Sequence, residues 1–174
     1  MSKLLKLGRD SSTERDMYLL AVDSPDQVSD FALDSLHFGV LLAWDCASES
    51  PEVLSRIAEK LISLGGVYFC CWGNGCELLH DSIDHAAMEI DVHSDPVLMT
   101  TWHADESLRE TLWYFINSAF PDDHFVESTR SMVAISIANS DWATECREAL
   151  IDPGQFTTSV LDEEPELPSD NALQ

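Results

Sequence analysis

Short apolar runs alternate with amphipathic stretches along most of the chain. Met17-Tyr18-Leu19-Leu20-Ala21-Val22 predicts a first strand, and Asp23-Ser24-Pro25-Asp26 breaks it. Val28, Phe31, Ala32 and Leu36 recur near helical spacing and predict a short helix over 27–36. Phe38-Gly39-Val40-Leu41-Leu42-Ala43-Trp44 is apolar on both alternating faces, as in a central strand covered on both sides. Ser50-Pro51 then reads as an N-cap followed by proline in the first turn. Val53, Leu54, Ile57, Ala58, Leu61, Ile62 and Leu64 fill one half of the helical wheel that follows, so this helix should lie on a sheet. Gly65-Gly66 ends it.

The alternation continues. Val67-Tyr68-Phe69-Cys70-Cys71-Trp72 predicts a buried strand, and a helix from about Gly75 packs through Leu79, Ile83, Ala86, Ala87 and Ile90. Asp91 to Asp95 is a polar connection before a strand over Pro96 to Trp102. The next helix packs through Leu108, Leu112, Phe115, Ile116 and Ala119, with Trp113 off its stripe. Met132 to Ala138 predicts a last strand, and Asn139-Ser140 caps a last helix that uses Trp142, Cys146, Ala149 and Leu150. The flanks lack this pattern. Residues 1–16 read as a flexible arm, 17–150 as a single domain, and 151–174 as a disordered acidic tail. Strands alternating with helices point to an α/β fold: a three-layer sandwich with a mostly parallel sheet of about five strands, Rossmann-like or flavodoxin-like.

Charge narrows the partners. The chain has 32 acidic residues against 9 basic ones, a net charge of -23. Removing the six acids of the tail leaves 26 against 9, so the folded part is acidic in its own right. Such a surface repels phosphate backbones and anionic headgroups, which argues against nucleic-acid or membrane partners; it suits basic proteins, cations or nothing specific, and a protein partner is expected. No apolar run approaches the length of a membrane span, and Met1 to Arg9 is too poor in apolar residues for a signal peptide. Five cysteines are an odd number, two of them adjacent; the three in apolar strand or helix contexts read as buried free thiols, with no disulfide framework, and point to a reducing cytoplasm.

In a parallel sheet, ligands bind beyond the carboxyl ends of the strands. Three strands end alike, at Trp44-Asp45, Trp72-Gly73 and Trp102-His103. Asp45, Trp72, Gly73, Trp102 and Asp84 are therefore the candidate ligand pocket. His103, followed by Asp105 and Glu106, has the makings of an oriented general base. Cys76 at a helix amino end has the setting of an activated thiol, so His103, Cys76 and Asp105 are the candidate catalytic residues. Cys76, His80 and Asp84 share a helical ridge, and His80 and Asp84 are the candidate metal ligands. Each has a plainer account: a packed indole, a capping acid, a core thiol, a polar helix flank. Gly73-Asn74-Gly75 holds two thirds of the dinucleotide fingerprint, but Leu78 occupies the third position and Glu77 the first turn, so it reads as a plain turn. No cofactor is expected.

Trp72-Gly73-x-x-Cys76, Asp81-Ser82-Ile83-Asp84 and Met99-Thr100-Thr101-Trp102-His103-x-Asp105-Glu106-x-Leu108 with Trp113 together resemble an uncharacterised family of small bacterial α/β proteins. The resemblance covers roughly residues 66 to 116. It implies a bacterial source and transfers no mechanism. The expected function is a small acidic interaction or regulatory protein of antitoxin or immunity type that binds a protein partner. The alternative is an enzyme or a small-ligand or metal-binding domain, with its site around Cys76 and His103.

Overall fold

A computed structural model of the chain describes residues 3–90 and 97–163. Six strands form one sheet: β1 (Leu5–Asp10), β2 (Arg15–Val22), β3 (His37–Ala43), β4 (Gly66–Trp72), β5 (Met99–Trp102) and β6 (Thr129–Ile137). Their order is β1-β2-β6-β3-β4-β5, with β1 antiparallel to β2 and every other pairing parallel. Among the described residues five α-helices cover it: α1 (Pro51–Ser63), α2 (Cys76–Ile90), α3 (Leu108–Asn117), α4 (Ser140–Ile151) and α5 (Pro153–Glu163). This is the three-layer α/β sandwich that the alternation predicts, with one strand more than expected.

The strand period sorts the core into two layers. On β3, Phe38, Val40 and Leu42 face one layer with Leu54, Ile57 and Leu61 of α1 and Leu79 and Ile83 of α2. Leu41 and Ala43 face the other, with Leu112 and Phe115 of α3 and Cys146 and Leu150 of α4. Central strands buried on both sides carry apolar residues at nearly every position, which is why β3, β4 and β6 stand out in the sequence. Ser50 caps α1 by accepting from the Val53 amide, with Pro51 in the first turn.

Both flanks depart from expectation. The expected arm over 1–16 contains β1 and the start of β2, joined by a turn built on Asp10. Its carboxylate accepts from the Ser12 and Thr13 amides at 3.2 Å and from both hydroxyls at 2.5–2.9 Å. Lys6 and Arg9 on β1 pair with Asp16 on β2 at 2.7 and 3.1 Å. Where a structureless tail was expected from Ile151, α5 folds back instead. Phe156 and Val160 pack against the same layer as α3, Arg109 grips Glu163 at 3.0 Å, and Asn117 meets Thr157 at 3.0 Å. Glu164 onward lies outside the described residues. The helix expected over 27–36 reduces to one 3-10 turn, Pro25–Gln27, followed by irregular chain whose Val28, Phe31 and Leu33 still pack on the core. Pro25 fits a first turn, and the polar residues between these anchors leave no continuous stripe. Trp113 is half-buried, and its indole N–H is sealed without a partner.

One property of this topology positions a site. The helix after β4 returns on the α1 face, whereas the helix after β5 crosses to the α4 face. The chain therefore leaves two neighbouring strands in opposite directions and opens a crevice at their carboxyl ends.

Candidate functional site

The turn after β4 is locked from below. Gly73 has φ +112° and Gly75 φ +84°, backbone conformations that L side chains rarely adopt. A Cβ on Gly73 would stand 2.3 Å from the Trp44 carbonyl oxygen, and one on Gly75 would stand 2.7 Å from the Ala47 Cα. The loop after β3 holds the turn in place: the Trp44 amide donates to the Trp72 carbonyl at 3.0 Å, and the Cys46 amide donates to the Asn74 carbonyl at 2.9 Å. The glycines thus serve backbone packing between two loops, and the incomplete fingerprint is accounted for without a phosphate.

Above this floor lies a cleft of about 590 Å³ between the β4–α2 and β5–α3 turns. Asp45, Trp72, Gly73, Cys76 and His103 from the candidate set all line it, joined by Asn74, Glu77, Glu106 and Trp142. Trp72 and Trp142 meet edge to face, their centroids 5.1 Å apart and planes at 85°. The Trp72 indole N–H donates to the Glu106 carbonyl at 2.8 Å, which fixes the ring.

The other candidates lie elsewhere. Trp44, expected at the same edge, is buried. Trp102 is half-exposed on the outer edge, against the His80 ring at 4.7 Å. Asp84 sits with it, accepting from the Thr100 hydroxyl at 2.6 Å and lying 3.5 Å from His80 Nε2. Trp102 and Asp84 are therefore part of an edge cluster outside the cleft lining. His80 and Asp84 meet as a pair, and among the described residues no group of three or more His, Cys, Asp or Glu side chains is placed to hold a metal ion.

The catalytic trio does not assemble as the sequence suggests. His103 is only 4 % exposed, and both ring nitrogens are occupied. Nδ1 meets Glu106 Oε2 at 2.8 Å and Nε2 meets the Thr101 hydroxyl at 3.0 Å. Its ring leans on Tyr114 at 4.8 Å, on the α3 side of the sheet. The acid that orients it is Glu106, while Asp105 is exposed. Both acids follow His103 in sequence, and only the shape of the turn selects between them. Cys76 is 2 % exposed, and burial pushes its thiol above the ordinary value. The main-chain N–H of His103, rather than its imidazole, counters that shift. Nucleophile and base are thus not hydrogen-bonded to each other, which acyl-transfer chemistry would require. Trp142, which the helical pattern presents as a core residue of α4, reaches the cleft because β6 is inserted beside β3.

The cleft also has a sign. Between Lys60 and Arg109 lie 48 residues with eight carboxylates and no lysine or arginine, and this stretch forms β4, α2 and β5. Asp45 and Glu77 belong to no ion pair among the described residues.

Fold and site together define a three-layer α/β domain with an acidic, indole-lined cleft at the carboxyl edge of its sheet. The chain belongs to the family described as a domain of unknown function (DUF7684), whose model matches residues 17–153. No curated protein and no solved structure matches it. Among the described residues no helix is long and apolar enough to cross a membrane.

Proposed function

We propose that this domain is a non-catalytic interaction protein that binds a basic protein partner at the carboxyl edge of its sheet. The carrying observation is the lining of the cleft, which contains Asp45, Glu77 and Glu106 and no lysine or arginine. A negative field focused in a concave site raises the local concentration of cationic groups and speeds their encounter. A regulator of antitoxin or immunity type that occupies a basic surface of its target would suit this mode of binding. Five buried free thiols suit a reducing bacterial cytoplasm as its setting. The enzyme reading has less support, because His103 has no uncommitted ring nitrogen and Cys76 is a buried thiol with a raised pKa.

The test is capture of partner protein by the immobilised full chain, with the double variant Asp45→Lys, Glu77→Lys in parallel. Capture should fall as salt is raised, since charges separated by more than about 10 Å are screened at 0.1 M. It should also fall sharply for the double variant. A partner held equally at high salt and by the charge-reversed chain would refute the proposal.

A further inference from the structure

The cleft has more than a charge. Two aromatic rings stand in its wall, and the polar edge of one is already committed. Because the Trp72 N–H is bound to the Glu106 carbonyl, that ring has no free donor to offer a ligand. Indole faces attract cations and disfavour anions. Asp45, Glu77 and Glu106 act in the same direction from the rim. A neutral apolar guest would satisfy the rings and leave the Asp45 and Glu77 carboxylates desolvated without partners, and an anion would be opposed by both. The amino end of α2 borders the same space and by itself favours an anion, but Glu77 occupies its first turn and offsets that end. The volume of about 590 Å³ leaves room for one long side chain in a cleft that is open to solvent.

We infer that the cleft is a socket for one aliphatic cation, the lysine or arginine side chain of the basic partner. This rests on the partner reading above and names the contact at its centre. The methylene stem lies against Trp72 and Trp142, and the charged head meets Asp45 and Glu77. Neither carboxylate has to abandon an ion pair to receive it.

The probe is a blocked pentapeptide with one lysine among glycines, beside the same peptide with that lysine Nε-acetylated. Binding is read from the indole N–H signals of the intact chain by NMR, with tryptophan fluorescence as a second readout. The lysine peptide should bind weakly and shift the Trp72 and Trp142 signals, and acetylation should weaken it about tenfold or more. Trp142→Phe, Asp45→Asn and Glu77→Gln should each weaken it roughly two- to fivefold. If Trp142→Phe unfolds the domain, the two exposed carboxylate variants carry the test. Equal binding of the acetylated peptide overturns the socket, and so does failure of the lysine peptide to bind. A lysine peptide that binds equally to all three variants, yet is released by salt, overturns the socket and leaves the basic-partner reading standing. Loss of salt-sensitive capture of the whole partner would sink that reading separately.

Discussion

Replacing Gly73 by alanine separates a glycine kept for packing from one kept for a ligand. The added Cβ would lie 2.3 Å from the Trp44 carbonyl oxygen and 2.8 Å from its carbon, both backbone atoms of a buried residue. Relief to ordinary contact needs a shift of about 1 Å. That shift strains the 3.0 Å bond from the Trp44 amide to the Trp72 carbonyl. Overpacking costs about 1–3 kcal/mol, and holding an L residue near φ +112° costs about 1–3 kcal/mol more. The sum of about 2–6 kcal/mol is a large fraction of a typical folding free energy of about 5–15 kcal/mol. At this chain length it lowers the melting temperature by about 4–24 °C. Urea unfolding followed by the fluorescence of the five tryptophans measures it directly. Gly154→Ala is the internal control. Its Cβ would meet only Asp152 Oδ1, at 3.7 Å, so the change should stay within about 1 kcal/mol of wild type. If Gly73→Ala were as mild as Gly154→Ala, the packing account would fail and Gly73 would have to be explained by something that binds above it.

Two further outcomes follow from buried groups. All five thiols are buried, and burial pushes Cys46 up to about 11 and Cys70 and Cys146 up to about 12. The native protein should therefore react negligibly with a thiol reagent at pH 7 and release all five thiols on unfolding, whereas one fast thiol at Cys76 would revive the nucleophile. Burial alone would raise the Asp10 carboxyl, but the Thr13 and Ser12 donors outweigh it and hold the group below its ordinary value. A depressed folded value means that its stabilisation is complete above the unfolded pKa of about 3.9 and fades as pH falls through the folded one. Asp10→Asn should cost about 1–3 kcal/mol at pH 7, with a gap to wild type that narrows below about pH 4 in parallel melting curves. A gap independent of pH would show that the carboxylate charge contributes nothing.

The elements legible in the sequence are those whose signal is local. β3, β4 and β6 are buried on both faces, and α1 has its cap, its proline and its stripe within fifteen residues of chain. The elements that were missed depend on distant partners. β1 carries Lys6, Gly8 and Arg9 among two leucines. It holds its place because Gly8 fits against the carbonyls of Leu150 and Ile151, where a Cβ would stand 2.3–2.5 Å from those oxygens. α5 has a thin stripe of Phe156 and Val160 and is fastened by Arg109 and Asn117 from α3. The site divides in the same way. The alternation places a crevice at the carboxyl edge and, with it, Asp45, Trp72, Cys76 and His103. Strand order then admits Trp142 and excludes Trp102, and the turn geometry gives His103 to Glu106 rather than Asp105.

The split between the turns after β4 and β5 has a consequence for how such a domain can change. The side chains that give the cleft its sign, Asp45, Glu77 and Glu106, are exposed and lie on connections or in a first helical turn, while the glycines and the buried Trp44 beneath them fix the frame. Asp45 and Glu77 can be exchanged without repacking a core residue, whereas Glu106 is tied to the buried His103 at 2.8 Å. A lineage could thus retune what the cleft prefers, even to the opposite charge, while every strand keeps its register. Specificity in this architecture is a coat of paint on a rigid joint, and two chains with the same frame need not share a partner.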